Sequence, residues 1–186
     1  MPQLQRLSVF RLWQTVLHHL GGRPFRNDIQ HIAGLPFALV RLHGDGSFPG
    51  GIHVEDAEAF LRGFSGWLHA DGYQGYHKLP ENIRVVGCWA HARRKFDEAL
   101  QTLPKEMQKD SPAAIGECYC SRLFKLEQAL AELTPEERYE KRLEQEKPVL
   151  DALLSWANEM QGQTTPKSTL GKAIHYLLEQ WPYLTR

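Results

Sequence analysis

Apolar residues recur at three- and four-residue spacings over much of the second half of the chain, and that spacing predicts helices. Trp89, Ala92, Phe96, Ala99, Leu100 and Leu103 fall on one face of an expected helix from Trp89 to Leu103, flanked by Arg93, Arg94 and Lys95. Ser111 and Pro112 supply an N-cap and a first helical residue for the next helix. Its expected stripe is Ile115, Tyr119, Leu123, Leu126, Leu130 and Leu133. Thr134 and Glu137 have the spacing of a capping box. The helix they open carries Glu140, Lys141, Arg142, Glu144, Glu146 and Lys147 as a mixed-charge face, and Pro148 is expected to kink or divide it. Leu150, Leu153, Leu154 and Trp156 continue the period to about Gln161. A loop at 162–166 precedes a last helix, Ser168 to Trp181, ended near Pro182.

Two short stretches leave the helical period. Trp67, Leu68 and Ala70 form one expected strand, and Ile83, Val85, Val86 and Cys88 a second, β-branched one. They are expected to neighbour each other in one sheet, the first ending on Asp71 and turned by Gly72. The helix from Trp89 is expected to lay its Phe96/Leu100 face on that sheet. Residues 1–61 carry less pattern. Leu7 to Leu20 reads as a helix stopped by Gly21 and Gly22, and Ile32 to Leu42 is apolar but broken by Gly34 and Pro36. Residues 43–51 have loop composition, and Val54 to Leu61 reads as a short helix.

Mixed strand and helix signals in 186 residues predict an α/β chain of one domain, or one domain with a helical appendage. The formal net charge is zero, which removes any bulk electrostatic case for nucleic-acid binding, so a basic patch must be local. Three cysteines, an odd number, fit reduced thiols better than a disulfide framework. The N-terminus lacks the apolar core of a signal peptide, and no run of 18 or more apolar residues is present. These features point to the cytoplasm and away from a membrane.

The candidate chemistry is sparse. Asp71 before Gly72 is, on pattern alone, a turn residue. His91, Arg93, Arg94 and Lys95 read equally as a solvated helix face with packed stems or as phosphate contacts. Cys88 and His91 are only two candidate ligands, and Cys118 and Cys120 point in different directions on a helix, so zinc is not expected. Tyr73, Tyr76 and Trp89 read as packing residues before base-stacking ones. Neither a phosphate-binding Gly-rich loop with Lys nor a nucleophile elbow is found.

Two dense phrases change this picture. One is Phe64-Ser-Gly-Trp-Leu-His-Ala-Asp-Gly-Tyr-Gln-Gly-Tyr76, and the other is Val85-Val-Gly-Cys-Trp-Ala-His-Ala-Arg-Arg-Lys-Phe96. With Lys167-Ser-Thr-Leu-Gly-Lys-Ala-Ile-His-Tyr-Leu-Leu-Glu-Gln-Trp-Pro-Tyr-Leu-Thr185, they resemble the insertion-sequence sixty-six (TnpC-type) family of bacterial transposases over roughly residues 62–186. The resemblance implies a partial ribonuclease-H-like core at 62–103 and a helical region at 104–186, the C-terminal helical insertion. Residues 1–61 are left poorly explained, as a frame-shifted or decayed stretch.

In such DDE enzymes three carboxylates hold two divalent ions, normally Mg2+, for DNA cleavage and strand transfer. The resemblance places Asp71 on the second of these acids, as a catalytic metal ligand. His91, Arg93, Arg94 and Lys95 become candidate DNA contacts. Asp28 and Asp45 are the upstream aspartates weighed for the first acid, and neither ends an apolar strand. The family's third acid, a Glu, falls beyond Thr185. The expectation is therefore a truncated or frame-disrupted copy in a bacterial cytoplasm, holding Mg2+ weakly or not at all and inactive alone. Its expected partners are DNA at transposon ends and further copies of itself. The alternative is a noncatalytic helical interaction protein derived from a transposase, self-associating through the Thr134–Lys147 helix and its Leu/Trp stripes.

Overall fold

The computed structural model describes residues 61, 63–70, 72, 76 and 78–186, together with the backbone of 30–31 and 37–39. The helix expected over 7–20 and the loop at 43–51 lie outside the described residues, as does all of the helix expected over 54–61 except Leu61. The chain is mixed α/β. Its contacts divide it into two compact units, Gly22–Cys88 with Gln180–Arg186, and Met1–Gly21 with Trp89–Glu179.

The first unit carries a four-stranded sheet in the order β1 (Gln30–His31), β2 (Phe37–Leu39), β3 (Gly66–His69), β4 (Ile83–Val86). β1 and β2 are antiparallel, while β2, β3 and β4 run parallel. The two strands expected at 67–70 and 83–88 are indeed neighbours, with Leu68 opposite Val85 and Trp67 opposite Arg84. Side chains alternate across a strand. One face therefore sends Leu68, Ala70, Ile83 and Val85 into a core with Leu61 and Tyr76, covered by Phe64, Leu79 and Tyr183. On the other face the exposed Arg84 guanidinium stands 5.3 Å over the Trp67 ring. Beyond β4, Gly87 N donates to Tyr183 O at 3.0 Å, and Arg186 Nη1 donates to Val85 O at 2.9 Å. Gly87 is needed there, because a Cβ would stand 3.0 Å from a Leu184 methyl carbon.

The second unit is helical: α1 (Trp89–Gln101), α2 (Lys105–Gln108), α3 (Pro112–Ala129), α4 (Pro135–Lys141), a π turn (Arg142–Glu146), α5 (Lys147–Gln163) and α6 (Thr169–Leu184), whose residues from Gln180 onward belong to the sheet unit. The stripe expected for α1 is buried through Trp89, Ala92, Phe96 and Ala99. Within the helical unit Phe96 finds its partners on neighbouring helices. Its ring, 0% exposed, lies against Gly116 of α3 and 5.8 Å from the Trp156 ring of α5. Of the stripe expected for α3, Leu123 and Leu130 are buried, at 2% and 4% exposure, while its first member turns outward. The buried face is Ala113, Gly116, Cys120, Leu123 and Glu127, while Ile115 is 38% exposed. A large ring needs small residues opposite it, so packing overrides the hydrophobic ranking of α3's own side chains.

The caps form as read. Ser111 Oγ accepts from Ala114 N at 3.2 Å, opening α3. At α4, Thr134 N donates to Glu137 Oε2 at 3.0 Å and Glu137 N donates to Thr134 Oγ1 at 3.3 Å. The Thr134 amide and hydroxyl hold the Glu137 carboxyl below its usual range.

The mixed-charge face is not simply a solvated one. Arg138, 3% exposed, turns back on the end of α3. Its Nε donates to Leu130 O at 3.1 Å, and its Nη2 to Ala131 O at 2.9 Å and Leu133 O at 3.0 Å. One guanidinium thus satisfies carbonyls that a helix end leaves without partners. Arg142 makes a two-pronged bond to the buried Glu127, its Nη2 donating to Oε2 at 3.1 Å and its Nε to Oε1, and the same Nε stands 4.0 Å from Glu146 Oε2. Pro148 divides the helix as expected, and the device is the π turn just before it. A proline lacks an N–H and its ring presses on the carbonyl four residues back, so a widened turn relieves both faults.

Two outcomes are expected. In Gly116→Ala the new Cβ would stand 2.5 Å from Phe96 Cδ1. Overpacking of about 1–3 kcal/mol should outweigh the roughly 1 kcal/mol that alanine adds to helix propensity. Urea unfolding followed by tryptophan fluorescence should shift to lower denaturant, and an unchanged midpoint would contradict this packing. Arg138→Met should cost about 3 kcal/mol by the same measurement, since buried carbonyls lose charged donors.

Candidate nucleic-acid interface

The strand that leads to the candidate carboxylate is well defined. β3 ends at His69, and the ladder continues one step as Ala70 N donates to Val86 O at 3.0 Å. Gly72 has φ of 91°, a left-handed conformation that glycine adopts freely, as a turn straight after a strand requires. Asp71 itself lies outside the described residues, as do Tyr73 and His77.

β4 passes through Gly87 and Cys88 directly into α1, which places the basic run in the first turns of that helix. His91 is half-buried. Successive helical residues point about 100° apart, and the three cations diverge accordingly. Arg93 stacks its guanidinium 4.8 Å from the centre of the Phe124 ring on α3. Lys95 places its ammonium 4.9 Å from the Tyr176 ring on α6. Arg94 faces outward, 3.7 Å from Glu98 one turn along α1. The run is therefore not one continuous patch. Arg93 and Lys95 each lay a stem and a charge on an aromatic face of a neighbouring helix. Arg94 keeps an exposed head held only by a surface pair of small energetic weight.

The cysteines separate in the same way. Cys118 is exposed and Cys120 is buried on the opposite side of α3. Burial, reinforced by the nearby Glu117 charge, pushes the Cys120 thiol up to about 12, against a smaller opposing effect of Arg93. Among the described residues no group of three or more His, Cys, Asp and Glu side chains stands ready to hold a metal ion. Carboxylate oxygen of the Asp71 type suits Mg2+, but one such oxygen donor does not make a two-metal site. Among the described residues no helix is long and apolar enough to cross a membrane.

The sequence pointed to the basic run but not to how it is used. Phe124 and Tyr176, which receive Arg93 and Lys95, come from helices far along the chain, and no local spacing connects them.

Comparison with known proteins places the chain within a transposase family. The model of the family described as "Transposase IS66 family" matches residues 53–186. The chain belongs to that family. Two relatives from Sinorhizobium fredii (strain NBRC 101917 / NGR234) are similar to it. "Uncharacterized protein y4jD" is 25% identical over 188 residues, covering 97% of this chain and 33% of the relative. "Uncharacterized protein y4qI" is 33% identical over 136 residues, covering 68% of this chain and 24% of the relative. The chain thus spans a third or less of the length of these relatives. An alignment over 97% of the chain also takes in most of the residues that precede the family match. No solved structure matches.

The thiol geometry has a direct consequence. At pH 7.5 a maleimide should label Cys118 first, with Cys120 protected until the helical unit opens. Peptide mapping by mass spectrometry reads the order, and comparable labelling of both thiols in the folded chain would contradict the burial of Cys120.

Proposed function

We propose that this chain is a transposase-derived, DNA-binding protein, whose intact relatives cleave DNA and transfer its strands at the ends of an insertion sequence. The observation that carries this reading is the family match over residues 53–186, on a chain where the last strand of a mixed sheet leads directly into a basic α1. A ribonuclease-H-like core is part of the proposal. It is supported by the parallel run β2–β3–β4 and by β4 feeding directly into α1. In an intact relative the position of Asp71 would supply one oxygen ligand to Mg2+, and the metal pair would activate the attacking group and stabilise the leaving oxygen. In the 186 residues in hand Asp71 is the single carboxylate that the family phrase assigns. We therefore expect weak metal binding and no strand transfer from this chain alone.

On this reading His91, Arg93, Arg94 and Lys95 face DNA phosphates, with Arg94 the freest to do so. Arg93 and Lys95 contribute charge from beside their aromatic partners. Fluorescence anisotropy with a duplex should show weak binding whose affinity falls steeply with salt. Arg94→Gln touches no aromatic ring. It should weaken binding and flatten the salt dependence by about one unit of log–log slope, while the circular dichroism spectrum stays unchanged. Salt-independent binding, or no effect of Arg94→Gln, would favour the noncatalytic interaction protein. Mg2+- or Mn2+-dependent strand transfer abolished by Asp71→Ala would overturn the proposed inactivity.

A further inference from the structure

The helical unit holds a cluster that the DNA reading does not use. Glu127 of α3, with Arg142 and Glu146 of the π turn, comes together with Glu127 7% and Glu146 8% exposed. The guanidinium is committed to Glu127 by its two-pronged bond, and Glu146 Oε2 is left at 4.0 Å from Arg142 Nε. Glu146 Oε1 is buried with no hydrogen-bond partner among the described residues. Two ionised carboxylates beside one cation would leave a net negative charge out of water, which is costly. A proton held between the carboxyls makes the cluster neutral and supplies a donor for a hydrogen bond between them.

The location matters as much as the charge. Arg142 and Glu146 are the first and last residues of the π turn, and Pro148 follows two residues later. A π turn packs less regularly than an α-helix and often marks a functional position. Across this one, Glu127 ties α3 to the helix that α4 and α5 share. We propose that the cluster is a proton-operated latch on the π turn: the proton shared by Glu127 and Glu146 holds the turn against α3, and its loss loosens the turn.

The electrostatic surroundings agree. Burial, then the Glu127 charge and a Glu127 hydrogen bond, push Glu146 up from 4.5 to about 8, with Arg142 opposing. Several other charged groups of the packed elements have partners of their own. Arg138 of α4 is bound to the carbonyls of Leu130, Ala131 and Leu133. Lys141 pairs with Glu144, and Lys147 with Asp151, all on the exposed side. Because the folded-state value lies above the unfolded one, the folded chain holds a proton that the unfolded chain has released between pH 4.5 and about 8. The latch contributes fully below that window and is lost as pH rises through it.

The test uses the full chain. Carboxyl 13C NMR should show Glu146 titrating near pH 8. Hydrogen exchange over residues 139–150, corrected for intrinsic rates, should accelerate at least about tenfold between pH 6.5 and 9.5, as one unit of proton linkage requires. Glu146→Gln should remove that pH dependence. Glu127→Gln should lower the Glu146 titration, since the Glu127 charge that raises it is removed while its burial remains. Titration of Glu146 near its ordinary value of 4.5 in the natural chain, or undiminished pH dependence in Glu146→Gln, would overturn the latch. If Glu146→Gln does not fold, the titration of the natural chain decides alone.

Discussion

The ring of Phe96 sets the spacing of the helical unit. It is fully buried, and it faces a glycine on α3 and an indole on α5. Gly116 lets the backbone of α3 come as close to the ring as a helix can. Trp156, itself 6.0 Å from the Tyr119 ring, closes the other side. Three helices therefore share one aromatic contact. The burial of Gly116 follows from accommodating that ring. Close-packed interiors respond to a single ring in this way because there is no free volume to absorb it.

The periodic elements were legible in the sequence. β3 and β4, the stripe of α1, the Ser111 cap and the Thr134–Glu137 box each depend on residues within a few positions of one another. What depended on a partner was not legible. Ile115 reads as core by its own hydrophobicity, and only the Phe96 ring makes Gly116 the buried position instead. Arg142 and Glu146 read as part of a mixed-charge face, yet Arg142 is claimed by Glu127, and Arg138 bonds the carbonyl at the end of α3. A helix end's exposed carbonyls attract a guanidinium from the next helix, but nothing in a linear pattern shows which arginine answers. Of the candidate site, the family phrase located α1 and its cations, while their divergence over three faces required the tertiary contacts.

That divergence gives the basic run two kinds of work. Arg93 and Lys95 join α1 to α3 and α6 through aromatic faces, and Arg94 alone projects clear of them. A run of adjacent cations on a helix is for this reason a poor measure of surface charge density. The formal neutrality of the chain fits such an arrangement, since positive charge here is placed by contact and not accumulated.

The sheet unit is stitched across a long stretch of chain. Val85 O and Gly87 N find their partners in Arg186 and Tyr183, the former contact linking residues 101 positions apart. Some helical contacts between Trp89 and Glu179 connect residues much nearer in sequence, as Arg138 does with Leu130, 8 positions away, although Lys95 reaches as far as Tyr176. On a chain leaving the ribosome one end first, those helices can pair while β4 still lacks its carboxyl-side partners. Vectorial synthesis thus imposes an order on this protein that refolding from a denatured state does not, with β4 waiting for most of the translation time between its own emergence and that of Tyr183.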